Sequence, residues 1–242
     1  MSSPSLATPA QAAPTAPAAT PLPAPIVAPA EGESRPPLTK KQLAADHPTW
    51  CPGCGDFSVL ALYFKLIEKR RLWHEKIVTI SGIGCSSRFP YFVQAHGAHF
   101  IHGRALPFAT GVSLTRPDLH VFVFSGDGDA FSIGGNHFTH TARKNVKLTF
   151  VVMDNEVYGL TKKQTSPTSR TGFRSKTDLW GAVDQPINPL KQALAAGGDV
   201  CGSQQPHQSR APAADDGGGD GPRRLQLHPL PERMRRVLSR RL

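Results

Sequence analysis

Apolar positions fall into two alternating rhythms between Leu38 and about Gly197. From Asp56 to Leu72, the residues Val59, Leu62, Tyr63, Leu66 and Ile67 recur at three- and four-residue steps, the period of one helix face. Asp56 stands where an N-cap or first-turn acid belongs. The run KIVTI at Lys76–Ile80 reads as a short strand, ending on Ser81-Gly82-Ile83-Gly84, where glycine permits a tight turn. A second helix is predicted over Ala105–Thr115, stopped at Pro117, and a buried strand over His120–Phe124 feeds Gly126-Asp127-Gly128. A third helix is predicted through Phe131–Arg143, and a third strand over Lys147–Met153 (KLTFVVM) ends on Asp154-Asn155. Strands alternating with helices specify βαβ units, so the expected fold class is α/β, a mostly parallel sheet with helices on both faces. Such sheets bind ligands at the carboxyl ends of strands, beside the switch in strand order. The turns Gly82–Ser86 and Gly126–Asp129 both lie at such ends.

The rhythm stops at both ends. Residues 1–37 are nearly all Ala, Pro, Ser and Thr, uncharged before Glu31, and lack the apolar surface to offset ordering entropy; a disordered tail is expected. Residues 38–199 form the expected folded domain. From about Val200 the chain turns Gly-, Pro- and Arg-rich (DDGGGDG, then PERMRRVLSRRL), and 200–242 reads as an aberrant segment, disordered or frameshifted. Proline interrupts every apolar run near the start, so neither a signal peptide nor a transit peptide is expected and the location should be cytoplasmic. No stretch reaches the roughly 20 apolar residues of a membrane span. The net charge of +10 is dispersed, much of it in the Arg-rich end, which argues against a nucleic-acid partner. Four cysteines without an export signal are metal ligands or reactive thiols rather than disulfides.

The chemistry concentrates between Val121 and Ser169. One strand delivers Asp127 between two glycines, and a later one delivers Asn155, 28 positions on. A carboxylate and an amide oxygen at adjacent strand tips suit a hard cation, and Mg²⁺ shares its shell readily with phosphate oxygens. The helix starting near Phe131 adds backbone N–H groups and a positive dipole end for the same anion. Gly126-Asp127-Gly128 alone would be an ordinary turn; Asn155 at a second strand tip is what favours the cation. The GDGD tract, its spacing to DNEVYGLT and the following KKQTSPTS resemble the thiamine-diphosphate site of 2-oxoacid:ferredoxin oxidoreductase β subunits, over roughly Trp50–Leu194. That resemblance implies Mg²⁺ held by Asp127, Asn155 and the Val157 carbonyl, with Gly128, Asp129, Gly159 and Leu160 lining the diphosphate. Ile83-Gly84-Cys85-Ser86 and His102-Gly103-Arg104 resemble segments that wrap the cofactor from the other side. His102 is expected on a phosphate oxygen, and Arg104 either there or securing its loop by a salt bridge.

Cys51-Pro52-Gly53-Cys54 is open to three readings: a zinc knuckle, a thioredoxin-like pair or part of an iron–sulfur site. No second ligand pair follows for zinc, and a loop rather than a strand precedes Trp50. By the resemblance, WCPGCGDF and Cys85, 34 positions after Cys51, carry three ligands of a [4Fe–4S] cluster. The family's fourth cysteine, from a region well beyond Asn155, has no counterpart; only Cys201 remains, in unrelated surroundings.

The activity implied is oxidative decarboxylation of a 2-oxoacid, with electrons passing through the cluster to ferredoxin and the acyl group to coenzyme A. The activating glutamate would come from a partner α subunit in an α₂β₂-like heterotetramer. YGLTKKQTSPTS looks more like the 2-oxoglutarate type than the pyruvate type. Arg88 and Lys162, beside the cofactor motifs, are candidates for gripping substrate carboxylates. Two rivals stand beside this reading. An acetolactate-synthase-like decarboxylase would not need Cys51 and Cys54, and an inactive thiamine- or metal-binding remnant is suggested by the C-terminal segment.

Overall fold

The computed structural model describes residues 35–198, so most of the expected tail, the whole segment from Val200 and Cys201 lie outside the described residues. Packing is already present at Arg35, whose guanidinium sits 4.4 Å over the Trp73 ring and 2.6 Å from a Glu75 oxygen. Helix α1 (Lys40–Leu43) is a single turn closed by a Thr39/Gln42 capping box. Helix α2 (Asp56–Arg70) starts with Asp56 in its first turn, not as the cap, and stops where Arg71 turns left-handed. Strand β1 (Ile77–Ser81) follows, then a 3₁₀ stretch over Ser86–Phe92, β2 (His96–His99) and α3 (Ala105–Thr115). Strand β3 (His120–Gly126) leads through a π-helical turn, Gly128–Ile133, into α4 (Gly135–Lys144). Strand β4 (Thr149–Met153), the two-residue strands β5 (Val157–Tyr158) and β6 (Gln164–Thr165), and α5 (Pro189–Ala195) complete the domain.

Strands β2-β1-β3-β4 form one parallel sheet in that order, while β5 and β6 make a separate antiparallel hairpin. After β1 the chain moves to one side to form β2, then crosses back to place β3 on the other. The switch therefore falls between the carboxyl ends of β1 and β3, the point where open α/β sheets take ligands.

Strand residues alternate between two cores. Ile77, Phe122 and Phe124 face α2 and the 86–92 stretch; Val78, Ile80, Val121 and Val123 face α3, α4 and α5. Helices cover both faces, as the apolar rhythm predicts, and this is why β1 is buried along its whole length. Ile77, Ile80 and Val123 are fully buried, each worth about 1.5–3 kcal/mol against exposure. Stacking of Phe89 on Phe124, with Tyr63 edge-on to both, fixes the first core.

Two sequence expectations are corrected here. The buried stripe of α2 is Leu60, Tyr63, Phe64 and Ile67, whereas Leu62 and Leu66 face outward at 50% and 37% exposure. Apolar residues stand nearly all round this helix, so spacing alone does not select the stripe; contact with Phe89 and Phe122 does. The helix expected through Phe131–Arg143 is split, because the chain leaves β3 in a wide turn before α4 begins at Gly135. Such π turns recur at functional sites.

Candidate cofactor site

At the tip of β3, Asp127 is 2% exposed and Asp129 3%. Register pairs Gly126 with Met153, so Asp127 and Asp154 leave neighbouring strand tips side by side. The Thr168 hydroxyl lies 3.0 Å from Asp127 Oδ2 and 2.8 Å from Asp154 Oδ1. One hydroxyl hydrogen cannot serve two carboxylates. Burial, and then the Asp154 charge, push Asp127 up to about 6 from its usual range, only partly offset by hydrogen bonds from Ser166 and Thr168. This is an under-compensated buried anion, and a cation is what its surroundings lack. The donor set therefore fits Mg²⁺.

Asn155 is exposed; its Oδ1 accepts the Val157 N–H at 3.2 Å in an Asx turn that shapes the approach to β5. Asp154, not Asn155, is the residue that shares a hydroxyl with Asp127, and sequence reasoning assigned it no role. Thr168 was equally unassigned. The signal for both is the polar run Ser166-Pro167-Thr168-Ser169, whose Ser166, Thr168 and Ser169 are all buried. Buried hydroxyls need partners, and here the partners are Asp127, Asp154 and the Glu156 carbonyl.

The β1 tip and the loop before α3 converge on Asp129. Its Oδ1 accepts the N–H groups of Ile83 (3.0 Å) and Gly103 (2.7 Å) and lies 2.6 Å from His102 Nδ1, while Oδ2 accepts from the Ser125 hydroxyl at 2.6 Å. A Cβ on Gly82 would fall 2.0 Å from Asp129 Oδ2, so only glycine fits there. Both Asp129 oxygens are turned inward onto four donors of the protein itself. His102 presents Nδ1 to Asp129, which leaves Nε2 as the nitrogen for any ligand. Arg104 secures its loop, through the Ile133 carbonyl at 3.2 Å rather than a salt bridge.

Gly128 lies under the Tyr158 ring, where a Cβ would come 2.4 Å from an edge carbon, and Tyr158 donates its hydroxyl to the Gly128 carbonyl at 3.3 Å. Ser86 is buried beneath Gly126; Ile83 and Leu160 are partly exposed, at 37% and 51%. The hairpin is conformationally tense, with Glu156 just before β5 and Lys162 and Lys163 in the β5–β6 turn all at positive φ (59°, 82° and 73°).

Cys51, Cys54 and Cys85 are all free thiols, exposed in the first case and half-buried in the others. Trp50 joins their two segments by donating its indole N–H to the Cys85 carbonyl at 2.7 Å. Burial pushes the Cys54 thiol up, with Asp56 and Cys51 adding to it; burial also raises Cys85, helped by Asp56 and Cys51 and opposed by Arg88 and Lys162. Asp56 itself is pushed up to about 6 by burial, despite its hydrogen bond with Cys54. The three thiols thus influence one another electrostatically, Cys51 acting on both Cys54 and Cys85. Among the described residues, no group of three or more His, Cys, Asp or Glu side chains stands in metal-holding geometry. Arg88 and Lys162 are exposed and both act on Cys85, so the two cations proposed for substrate share a neighbourhood.

Residues 82–221 match the family model described as thiamine pyrophosphate enzyme, C-terminal TPP binding domain. The chain belongs to that family. It is 52% identical over 147 residues to the 2-oxoglutarate oxidoreductase subunit KorB of Mycobacterium tuberculosis, covering 61% of this chain and 39% of that protein. It is 45% identical over 161 residues to the 2-oxoglutarate synthase subunit KorB of Archaeoglobus fulgidus, covering 66% and 60%. Among solved structures it resembles the 2-oxoglutarate:ferredoxin oxidoreductase from Magnetococcus marinus with 2-oxoglutarate, coenzyme A and succinyl-CoA bound: TM-score 0.65, 48% identity, 66% of this chain and 56% of that one. The thiamine-binding chain thus spans between two fifths and three fifths of the length of these relatives. No helix among the described residues is long and apolar enough to cross a membrane.

Proposed function

We propose that this chain is the thiamine-diphosphate-carrying β subunit of a 2-oxoacid:ferredoxin oxidoreductase, and that its substrate is of the 2-oxoglutarate type. Its α subunit supplies the activating glutamate, ferredoxin takes the electrons and coenzyme A the acyl group. When bound, thiamine diphosphate supplies the nucleophilic carbon and electron sink for decarboxylation, Mg²⁺ neutralises the diphosphate, and a [4Fe–4S] cluster accepts single electrons. Asp127, Asn155 and the Val157 carbonyl are the residues for Mg²⁺; Gly128 and Gly159 line the diphosphate; Cys51, Cys54 and Cys85 hold iron. Arg88 and Lys162 grip the two carboxylates of the substrate, guanidinium bidentately and ammonium as a point charge.

One observation carries this reading. The loop after β1 belongs to both halves of the chemistry at once: Ile83 is tied to Asp129, and two residues later Cys85 Sγ lies 4.0 Å from the Cβ position of Gly159, beside Asn155. A thiol that close to the diphosphate-lining segment suits electron transfer out of the cofactor, a step that a decarboxylase leaving electrons alone does not need.

The test is anaerobic co-expression of the full chain with an α subunit, followed by oxoacid-dependent reduction of ferredoxin. Visible absorbance from bound iron and sulfide together with reduction driven better by 2-oxoglutarate than by pyruvate is the expected result. Thiamine binding without either would leave a cofactor-binding remnant and overturn the proposal.

A further inference from the structure

We infer that Asp129 is a positioning residue for His102 and reaches the cofactor only through that imidazole. The inference rests on the reading that these strand tips take thiamine diphosphate. A carboxylate offers about two acceptor positions on each oxygen; Asp129 Oδ1 is crowded by Ile83 N–H, Gly103 N–H and His102 Nδ1, and Oδ2 takes the Ser125 hydroxyl. A diphosphate is itself an anion and an acceptor, so it offers Asp129 nothing. What Asp129 fixes is the ring. Its oxygen 2.6 Å from Nδ1 sets the hydrogen on that nitrogen and turns Nε2 outward. Nε2 has no hydrogen-bond partner among the described residues, and the side chain is 36% exposed beside the Tyr158 ring that covers Gly128.

The donors sort into two groups by what they require. The two backbone N–H groups need an acceptor, and Ser125 needs any polar partner; an amide would serve all three. Every donor bonds a carboxylate more strongly than an amide, but only the imidazole can take up a second hydrogen and so need a counter-ion. To bond a phosphate oxygen, Nε2 must carry a hydrogen while Nδ1 keeps its own, and the ring doing this is a cation whose counter-ion lies beneath it.

Asp129→Asn separates these roles, because Oδ1 can still accept from Ile83 and Gly103 while Nδ2 turns to Ser125 Oγ. In calorimetric titration of the full chain with thiamine diphosphate and Mg²⁺, Asp129→Asn should weaken binding roughly 10-fold, the size of effect seen when a carboxylate behind a working histidine is lost. His102→Ala should weaken it similarly, and the double variant should bind no worse than His102→Ala alone. Unchanged affinity in Asp129→Asn, or an effect that persists at full size without His102, would overturn the inference. A wild-type chain that binds no thiamine diphosphate would instead sink the cofactor reading. Imidazole ¹⁵N resonances of the ligand-free wild type decide the geometry without any variant: a hydrogen on Nδ1 is expected, and a resting Nε2–H tautomer refutes the pairing.

Discussion

The strand tips and the cysteine corner adjoin one another, yet they are prepared very differently. At the strand tips, Asp129 alone gathers four donors from the β1 tip, the β3 tip and the loop before α3, and each group sits at ordinary hydrogen-bond distance. At the cysteine corner one indole bond runs from Trp50 to Cys85, and the three thiols are free, those of Cys54 and Cys85 being half-buried and pushed toward their uncharged forms. The Asp129 carboxylate is satisfied by the chain itself, because its donors are complementary, whereas Asp127 beside it is not. Thiols, by contrast, offer one another little, so the cysteines do not complete one another. Each region also carries a carboxylate pushed up to about 6, Asp127 facing Asp154 and Asp56 beside Cys54.

The contrast can be broken most forcefully at Gly82. An alanine there puts Cβ 2.0 Å from the Asp129 carboxylate and forces apart a buried, fully bonded group. Gly82→Ala should destabilise by about 3–5 kcal/mol in urea denaturation. Gly53→Ala, in the cysteine turn, meets nothing within 4 Å and strains only its positive φ of 78°, so it should cost about 1–2 kcal/mol. Equal effects would refute the claim that the strand tips are the rigid half.

Asp127 gives the next largest effect, and its sign runs against intuition. Its folded value of about 6 lies above the ordinary 3.8, so its contribution is fully present below about pH 4 and is lost as pH rises through 6. Metal-free protein should therefore be more stable at pH 5 than at pH 7.5. Asp127→Asn should flatten that slope, stabilise the metal-free chain by about 1–3 kcal/mol at neutral pH, and abolish Mg²⁺-dependent thiamine diphosphate binding. Asp56→Asn should flatten the slope in the same direction while leaving that binding intact. Loss of binding in both would mean that the two regions are not separable.

How much of this was legible beforehand depends on whether the signal was local. Helix α3 and strands β1, β3 and β4 announce themselves by their apolar runs, and for β1 and β3 burial on both sheet faces demands such runs. Strand β2 (HGAH) does not, since it is an exposed edge defined only by its register with β1. The hairpin of β5 and β6 is too short to carry a period. The GDGD tract falls at the carboxyl end of β3 beside the switch in strand order, as its sequence predicts, but the division of labour within it was not readable. That Asp127 faces Asp154 and Thr168 while Asp129 turns back to His102 follows from side-chain direction and from loops 27 to 41 positions away in sequence. Arg88 and Lys162 were legible as cations; their shared neighbour Cys85 was not.

Lys163, in the hairpin between the two regions, offers a smaller lever. Relieving its left-handed backbone should gain about 1–2 kcal/mol, of which the looser unfolded chain of a glycine takes back about 0.5–1. Lys163→Gly should thus stabilise by about 0.5–1 kcal/mol, seen as a higher urea midpoint with an unchanged slope. A destabilised variant would show that the lysine side chain, not its backbone, anchors the hairpin.

The smallest folding effect belongs to the cysteines, and its smallness is the point. Cys51 is exposed and Cys54 only partly packed against the aromatic core, so serine at both loses little burial. Cys51→Ser/Cys54→Ser should move metal-free stability by no more than about 0.5 kcal/mol and leave thiamine diphosphate affinity unchanged, while iron and sulfide incorporated on anaerobic reconstitution fall to background. The two halves of the site would then be independent in folding and joined only by the loop from Ile83 to Cys85. A drop of several kcal/mol in the metal-free variant would make these thiols structural, and the corner would no longer be a place held ready for iron.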